Sequence, residues 1–151
     1  MKNLLFALGM LSFSMISCVG TQGVSNSNQK TTEALNAPLK LNGSWELAEI
    51  PGARVSVVGL YPEKKPIITF DVNDNKFVGN TSCNNFSGSL KTEGNKIDFS
   101  EPMAMTKMHC EGAGEEKFLE MLKKVNTYSI SEDNTLALFS GDVAILRFTQ
   151  K

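Results

Sequence analysis

Three cysteines, Cys18, Cys83 and Cys110, and a single histidine, His109, are the residues with the most chemistry to offer. Cys83 and Cys110 could form a disulfide, stay as neighbouring thiols, ligate a metal or supply a nucleophile. A zinc ion takes about four ligands, and only Cys83, His109 and Cys110 are on offer. His109 and Cys110 are also adjacent, so in a strand they point to opposite faces. No metal site is therefore assigned. An even pair in an exported chain favours a disulfide, which by closing residues 83–110 would stabilise the fold by roughly 3.5 kcal/mol on the chain-entropy account. Glu115 and Glu116 are neighbouring carboxylates, but neighbours on a helix diverge, and a place at the positive end of the helix dipole accounts for them. There is no Ser-His-Asp set or phosphate loop, and one histidine supplies general acid–base chemistry poorly. No catalytic residue and no cofactor are assigned, and the chain is expected not to be an enzyme.

Asn84, Asn85, Met105 and Met108 make up a candidate ligand or partner surface. The asparagines follow Cys83 in a turn, where they could form a polar lip or simply satisfy local backbone groups, as asparagine does in turns. The methionines at 103, 105 and 108 could line an adaptable apolar groove or pack into a core. Trp45, the single tryptophan, is expected to anchor the core.

Cys18 belongs to different chemistry. Leu4–Ile16 carries no charge and is 13 residues long. A bilayer-spanning helix needs about 20 apolar residues, so this stretch fits the core of a secretory signal instead. Met15-Ile16-Ser17-Cys18 resembles the lipobox of bacterial lipoprotein signals. Residues 1–17 are expected to be a lipoprotein signal peptide, and Cys18 to carry acyl chains that anchor the mature protein on a membrane. Val19-Gly20 lacks the Asp that retains some lipoproteins at the inner membrane, which favours the outer membrane. The expected location is the bacterial cell envelope, with the domain in the periplasm or at the cell surface.

After Cys18 the chain is small and polar up to Pro38, a composition that cannot bury enough apolar surface to fold. Residues 18–38 read as the lipidated cysteine and a flexible tether, and residues 39–151 as one domain. With 15 basic and 16 acidic residues the formal net charge is −1, and the charges are interspersed. No nucleic-acid partner is expected. The expected partners are the membrane, through Cys18, and an unidentified envelope protein, with the chain itself a monomer.

The elements that must position these residues are mostly short strands. Gly43–Ile50 reads as the first, stopped by Pro51-Gly52. Ala53–Pro66 reads as a loop with room for a short strand at Val55–Val58. Ile67–Asp71 and Lys76–Gly79 flank Asn73-Asp74-Asn75 as a hairpin. Phe86, Gly88 and Leu90 alternate with polar residues, and Lys96–Phe99 alternates again after Glu93-Gly94-Asn95. Met103–Met108 reads as a strand or an irregular crossover. Gly114–Val125 places Phe118, Leu119, Met121, Leu122 and Val125 on one helical face, with Glu120 and Lys124 as a favourable i,i+4 pair. Thr127–Ile130, Leu136–Phe139 and Ala144–Phe148 close the chain as strands. With no repeated β-α pairs, a doubly wound parallel sheet is excluded. A mainly β (α+β) fold is expected: a small antiparallel cracked β-barrel with one packed helix.

Several of these segments resemble a known family. Gly43-Ser44-Trp45-Glu46-Leu47, Ile68-Thr69-Phe70-Asp71, and Val78-Gly79 leading into Ser82-Cys83-Asn84-Asn85-Phe86-Ser87-Gly88 are similar to the META domain of HslJ-type envelope proteins. Met105-Thr106-Lys107-Met108-His109-Cys110, followed by Glu115–Leu119, resembles that family's T-x-M-x-C stretch and helix. Two positions depart from the pattern: Ser82 stands where glycine is usual, and His109 where a small residue is usual. The resemblance implies a β-rich cracked barrel on an envelope protein linked to heat or stress, without a mechanism. The expected function is that of a non-enzymatic, membrane-anchored lipoprotein that helps another envelope protein fold, localise or survive stress. The alternative is a barrel that binds a small molecule or lipid.

Overall fold

The computed structural model describes residues 39–151. The expected signal peptide, Cys18 and the tether lie outside the described residues. Ten strands form one antiparallel sheet: β1 (Gly43–Glu49), β2 (Ile67–Asp71), β3 (Lys76–Asn80), β4 (Asn85–Ser89), β5 (Lys91–Glu93), β6 (Lys96–Asp98), β7 (Ala104–Met105), β8 (Thr127–Ile130), β9 (Thr135–Ser140) and β10 (Val143–Gln150). Helices accompany them, among them α1 (Val57–Leu60) and α2 (Gly114–Leu122), and residues 39–41 are helical too. The strand order is β5-β6-β8-β9-β10-β1-β2-β3-β4-β7, curled into a half-barrel. The first and last strands of the domain are neighbours at its centre, with Leu47 opposite Phe148. The expected fold class stands: mainly antiparallel β with few helices.

Period-2 alternation explains which face turns inward. Ile68 and Phe70 on β2, Phe77 on β3, Phe86 on β4 and Leu136 and Leu138 on β9 are buried, while Thr69, Val78 and Ser87 pair across the opposite face. Side chains between the sheet and α2 form a chain of aromatic contacts. It runs from Phe70 to Phe99 (6.2 Å between ring centres), Phe77 (5.1 Å), Phe86 (6.2 Å), Phe118 (6.1 Å) and Phe148 (6.4 Å). Each such buried side chain contributes about 2 kcal/mol through the surface it removes from water. Trp45 is fully buried, as expected of a core anchor, and its Nε1 donates to Leu41 O at 2.8 Å.

The rings also explain two glycines inside strands. A Cβ on Gly79 would stand 2.3 Å from Phe86 Cζ, and one on Gly88 would stand 2.6 Å from Phe77 Cζ. Each ring lies over the glycine directly opposite it in the neighbouring strand, so the missing side chain is filled by an aromatic neighbour.

The helix expected at Gly114–Val125 is present but ends at Leu122; Lys123 and Lys124 follow in a turn and Val125 is buried beyond it. Phe118, Met121 and Leu122 face the core, and Lys124 Nζ bonds Glu120 at 2.6 Å. At Val55–Val58 the room allowed for a short strand is taken by helix. The structure has the single helical turn α1 there, because the Ser56 hydroxyl accepts the Gly59 N–H (3.2 Å) and caps it. Met103 and Met105 pack against the core, whereas Met108 is exposed.

Tyr61 follows α1 and its hydroxyl donates to Gly114 O at 2.7 Å, joining α1 to α2. Tyr128 donates to Gly94 O at 3.0 Å. Burial pushes both phenols up to about 12, since desolvation disfavours the charged form. A raised folded-state value means that the stabilisation is complete below the unfolded value of about 10 and is lost as pH rises towards 12. These are the chain's two tyrosines, so tyrosinate absorbance reads them without interference. The folded domain is expected to show little tyrosinate at pH 10.5, with its urea midpoint falling as absorbance appears, whereas the urea-unfolded chain titrates near pH 10. Coincident titration curves would contradict the burial argument.

Candidate functional site

The loop 81–84 between β3 and β4, the segment 104–110 and the first turn of α2 meet at one place. The Cys83–Cys110 disulfide joins the first two, with Cα atoms 5.9 Å apart. Beside it lies Asn84, 1% exposed, and Thr81, wholly buried. Asn84 Oδ1 accepts from the Met108 N–H (2.8 Å) and from Thr106 Oγ1 (2.8 Å). Its Nδ2 donates towards Met108 O (3.1 Å) and Glu115 Oε1 (3.1 Å), and stands 3.0 Å from Cys110 Sγ. The Thr81 hydroxyl donates to Glu115 Oε2 and accepts the Asn84 N–H (3.0 Å). Thr106 Oγ1 also accepts the Asn85 N–H (3.0 Å), and the Thr106 N–H donates to Asn85 O (3.0 Å).

This cluster has a clear physical logic. A buried amide is tolerated only when its donors and acceptors are matched, and among the described residues no buried side-chain nitrogen or oxygen lacks a partner. Glu115 sits in the first turn of α2, where the helix dipole favours its charge. Two hydrogen bonds from Thr81 and Asn84 hold that charge in place. Glu116 points away and is exposed, so the two carboxylates do not work as a pair.

The candidate surface residues separate accordingly. Asn84 is not on the surface: its side chain reaches 24 residues along the chain to Met108 and has nothing left for a ligand. Asn85 is exposed and its Oδ1 accepts from Asn80 Nδ2 at 2.8 Å. Met105 is half-buried, and Met108 is 60% exposed. Met105, Met108, His109 and Glu115 line an open depression of about 480 Å³ with Asn84 at its floor. A second open groove, of about 570 Å³, runs along the outer sheet face over Ile67, Val78, Asn85 and Ala104. Met105 and Thr106 border both. The sulfurs of Cys83 and Cys110 and a carboxylate oxygen of Glu115 lie within 4.8 Å of one another. In the disulfide form the sulfurs are bonded to each other and are not thiolate ligands.

Thr81, Thr106 and Glu115 are the members of the cluster that sequence reasoning does not assign. A signal for Thr106 existed, since it begins the T-x-M-x-C stretch that resembles the family. The structure shows that this stretch and the Cys83-Asn84 segment meet in one hydrogen-bonded cluster.

Ser82 explains one departure from the family pattern. Its φ is +89°, a conformation glycine adopts freely and an L side chain does not, at a cost of about 1 kcal/mol or more. Its N–H is held by Asn80 Oδ1 at 2.9 Å. Ser82→Gly is expected to stabilise the domain by about 0.5–1 kcal/mol, allowing for the freer unfolded glycine chain. The readout is a higher urea midpoint with unchanged slope. A lower midpoint would contradict the strain argument. His109, the other departure, is exposed, which is why a large residue is accommodated there.

Two solved structures share the fold. A protein from Burkholderia xenovorans, solved by NMR, is 19% identical over 78% of this chain and 88% of its own, with a TM-score of 0.62. A crystal structure of a DUF4847 family protein from Bacteroides vulgatus ATCC 8482 is 16% identical over 75% of this chain and 95% of its own, with a TM-score of 0.54. No curated protein matches the chain in sequence. The META domain family model matches residues 37–151, a span that takes in both cysteine segments, the half-barrel and α2, and the chain therefore belongs to the META domain family.

Proposed function

We propose that the protein is a lipid-anchored, monomeric component of the bacterial envelope, more readily placed at the outer membrane than the inner. It acts by binding another envelope protein rather than by catalysis, in folding, localisation or stress survival. The observation that carries this reading is the use of the polar cluster around the buried Asn84 and Thr81. Asn84, Thr81, Thr106 and Glu115 all hold chain segments together, which leaves the cluster a structural knot with no free acid or base. Around it the surface is apolar in places, with Val78 47% and Met108 60% exposed in the two depressions that Met105 and Thr106 border. Flexible methionines and exposed sheet suit an adaptable protein contact. A cysteine pair joined in a disulfide suits an oxidising compartment. A ligand held inside the half-barrel is less favoured, because Trp45, Phe70, Phe77, Phe99, Phe118 and Phe148 are fully buried between sheet and helix.

The test is photocrosslinking in the native host from a reactive side chain placed at Val78 or Met108, with Glu132 in the distant β8–β9 turn as control. One discrete adduct from the first two positions and none from Glu132 is expected. Absence of any specific adduct at Val78 and Met108, with or without heat stress, would contradict the proposal.

A further inference from the structure

We propose that when the Cys83–Cys110 disulfide is reduced, the two cysteines and Glu115 form a binding site for a thiophilic divalent cation such as Zn²⁺, so that a metal cross-link replaces the covalent one. The donor set suits such an ion: two sulfurs and one carboxylate oxygen already lie within 4.8 Å of one another. In a tetrahedral site with metal–sulfur distances of about 2.3 Å, the two sulfurs stand about 3.8 Å apart. Side-chain rotation after the bond is cut can provide that separation.

The surroundings are what make this more than three donors in proximity. Cutting the disulfide does not release the two loops, because Asn84 still bonds Met108 N and Thr106 Oγ1 (2.8 Å each), and Thr106 still pairs with the Asn85 backbone (3.0 Å). The cysteines therefore stay near each other as thiols. Glu115 is oriented by Thr81 and Asn84, the kind of outer-shell hydrogen bonding that fixes a carboxylate ligand. Asn84 Nδ2 stands 3.0 Å from Cys110 Sγ, so the positive end of its amide dipole lies beside a thiolate formed there. Cys83, Cys110 and Glu115 are all half-buried beside the open depression lined by Met108 and His109. An ion can enter, and water from the depression takes the fourth position.

The chemistry balances with a dithiol as reductant. Two electrons and two protons pass to the protein disulfide, its S–S bond breaks into two thiols, and the dithiol closes to its own disulfide. Cation binding then displaces the two thiol protons to solvent.

The experiment uses the protein as isolated from its host, reduced, freed of reductant without air, and titrated with Co²⁺ and then Zn²⁺. Reduced protein is expected to bind one Co²⁺ per chain, with a thiolate charge-transfer band and tetrahedral visible bands that Zn²⁺ abolishes. The oxidised protein is expected to bind none. Cys110→Ser should lose the charge-transfer spectrum, and Glu115→Gln should weaken binding by at least about tenfold. Absence of the band in the reduced wild type, or undiminished affinity in Glu115→Gln, would overturn the proposal. A second readout does not depend on variants that fold. Zn²⁺ should raise the melting temperature of the reduced wild type and leave that of the oxidised protein unchanged; no rise in the reduced protein would also overturn the proposal.

Discussion

Asn84→Ala is expected to destabilise the oxidised domain by about 4 kcal/mol, more than any surface substitution. The substitution removes an acceptor from the Met108 N–H and from Thr106, and donors from Met108 O and Glu115. A buried group left without its partner costs about 1–3 kcal/mol, and four part-buried hydrogen bonds are lost together here. Some relaxation and water entry from the adjoining depression keep the total below the simple sum. Asn84→Asp separates hydrogen bonding from shape. It preserves volume and one acceptor, loses both N–H donors, and places a second carboxylate beside Glu115. It should be as damaging as alanine at neutral pH, because like charges repel and both N–H donors are gone. Urea denaturation of both variants at pH 7 decides the matter. An alanine loss below about 1 kcal/mol, within the range of ordinary surface changes, would mean that the cluster is not what joins loop 81–84 to segment 104–110.

The second large effect belongs to the disulfide. Replacing Cys83 and Cys110 together by serine is expected to cost about 3.5 kcal/mol, the loop-closure entropy returned to the unfolded chain. For a domain of this size that corresponds to a fall in melting temperature of roughly 10–15 °C. The loop it closes contains β4 to β7, hence strands at both ends of the sheet. The folded structure should nonetheless survive the double substitution, because Asn84 still holds the same segments. Near-ultraviolet circular dichroism like that of the wild type, with the lower melting temperature, is the expected combination. An unchanged melting temperature would remove the disulfide from any structural role.

Much of the fold is legible in the chain because its physical cause is local. Alternation at Ile67–Asp71 and Lys96–Phe99 and the single apolar face of Phe118, Met121, Leu122 and Val125 depend on neighbours in sequence. Where the reading fails, the cause lies elsewhere. Val57 and Val58 carry strand propensity, yet one hydroxyl, that of Ser56, is enough to turn them into α1. From Asn85 to Glu93 the alternation runs on as if through one strand. The chain bends at Leu90, and β4 and β5 lie in opposite wings of the sheet, which only the assembled sheet decides.

The candidate site divides in the same way. The pairing of Cys83 with Cys110 is legible in cysteine number and the expected oxidising compartment. Asn84 reads as a turn residue because asparagine satisfies backbone groups in turns, but its side chain is used on Met108 and Glu115, 24 and 31 residues away. Glu115 looked complete as a helix-dipole residue, and its bonds to Thr81 and Asn84 become visible only when three segments meet. Met103 and Met105 pack on the core as methionines commonly do, while Met108, identical in type, stays exposed.

We propose that this META domain, locked by Cys83–Cys110, is exported and tethered through a lipidated Cys18. The most direct test is the intact mass of the protein isolated from its own host, measured with and without a thiol-alkylating reagent before and after reduction. The account predicts a chain lacking residues 1–17, with acyl mass on Cys18, no alkylation before reduction, and alkylation of Cys83 and Cys110 after it. A chain that retains residues 1–17, carries no lipid, or is alkylated at Cys83 and Cys110 without reduction would contradict it.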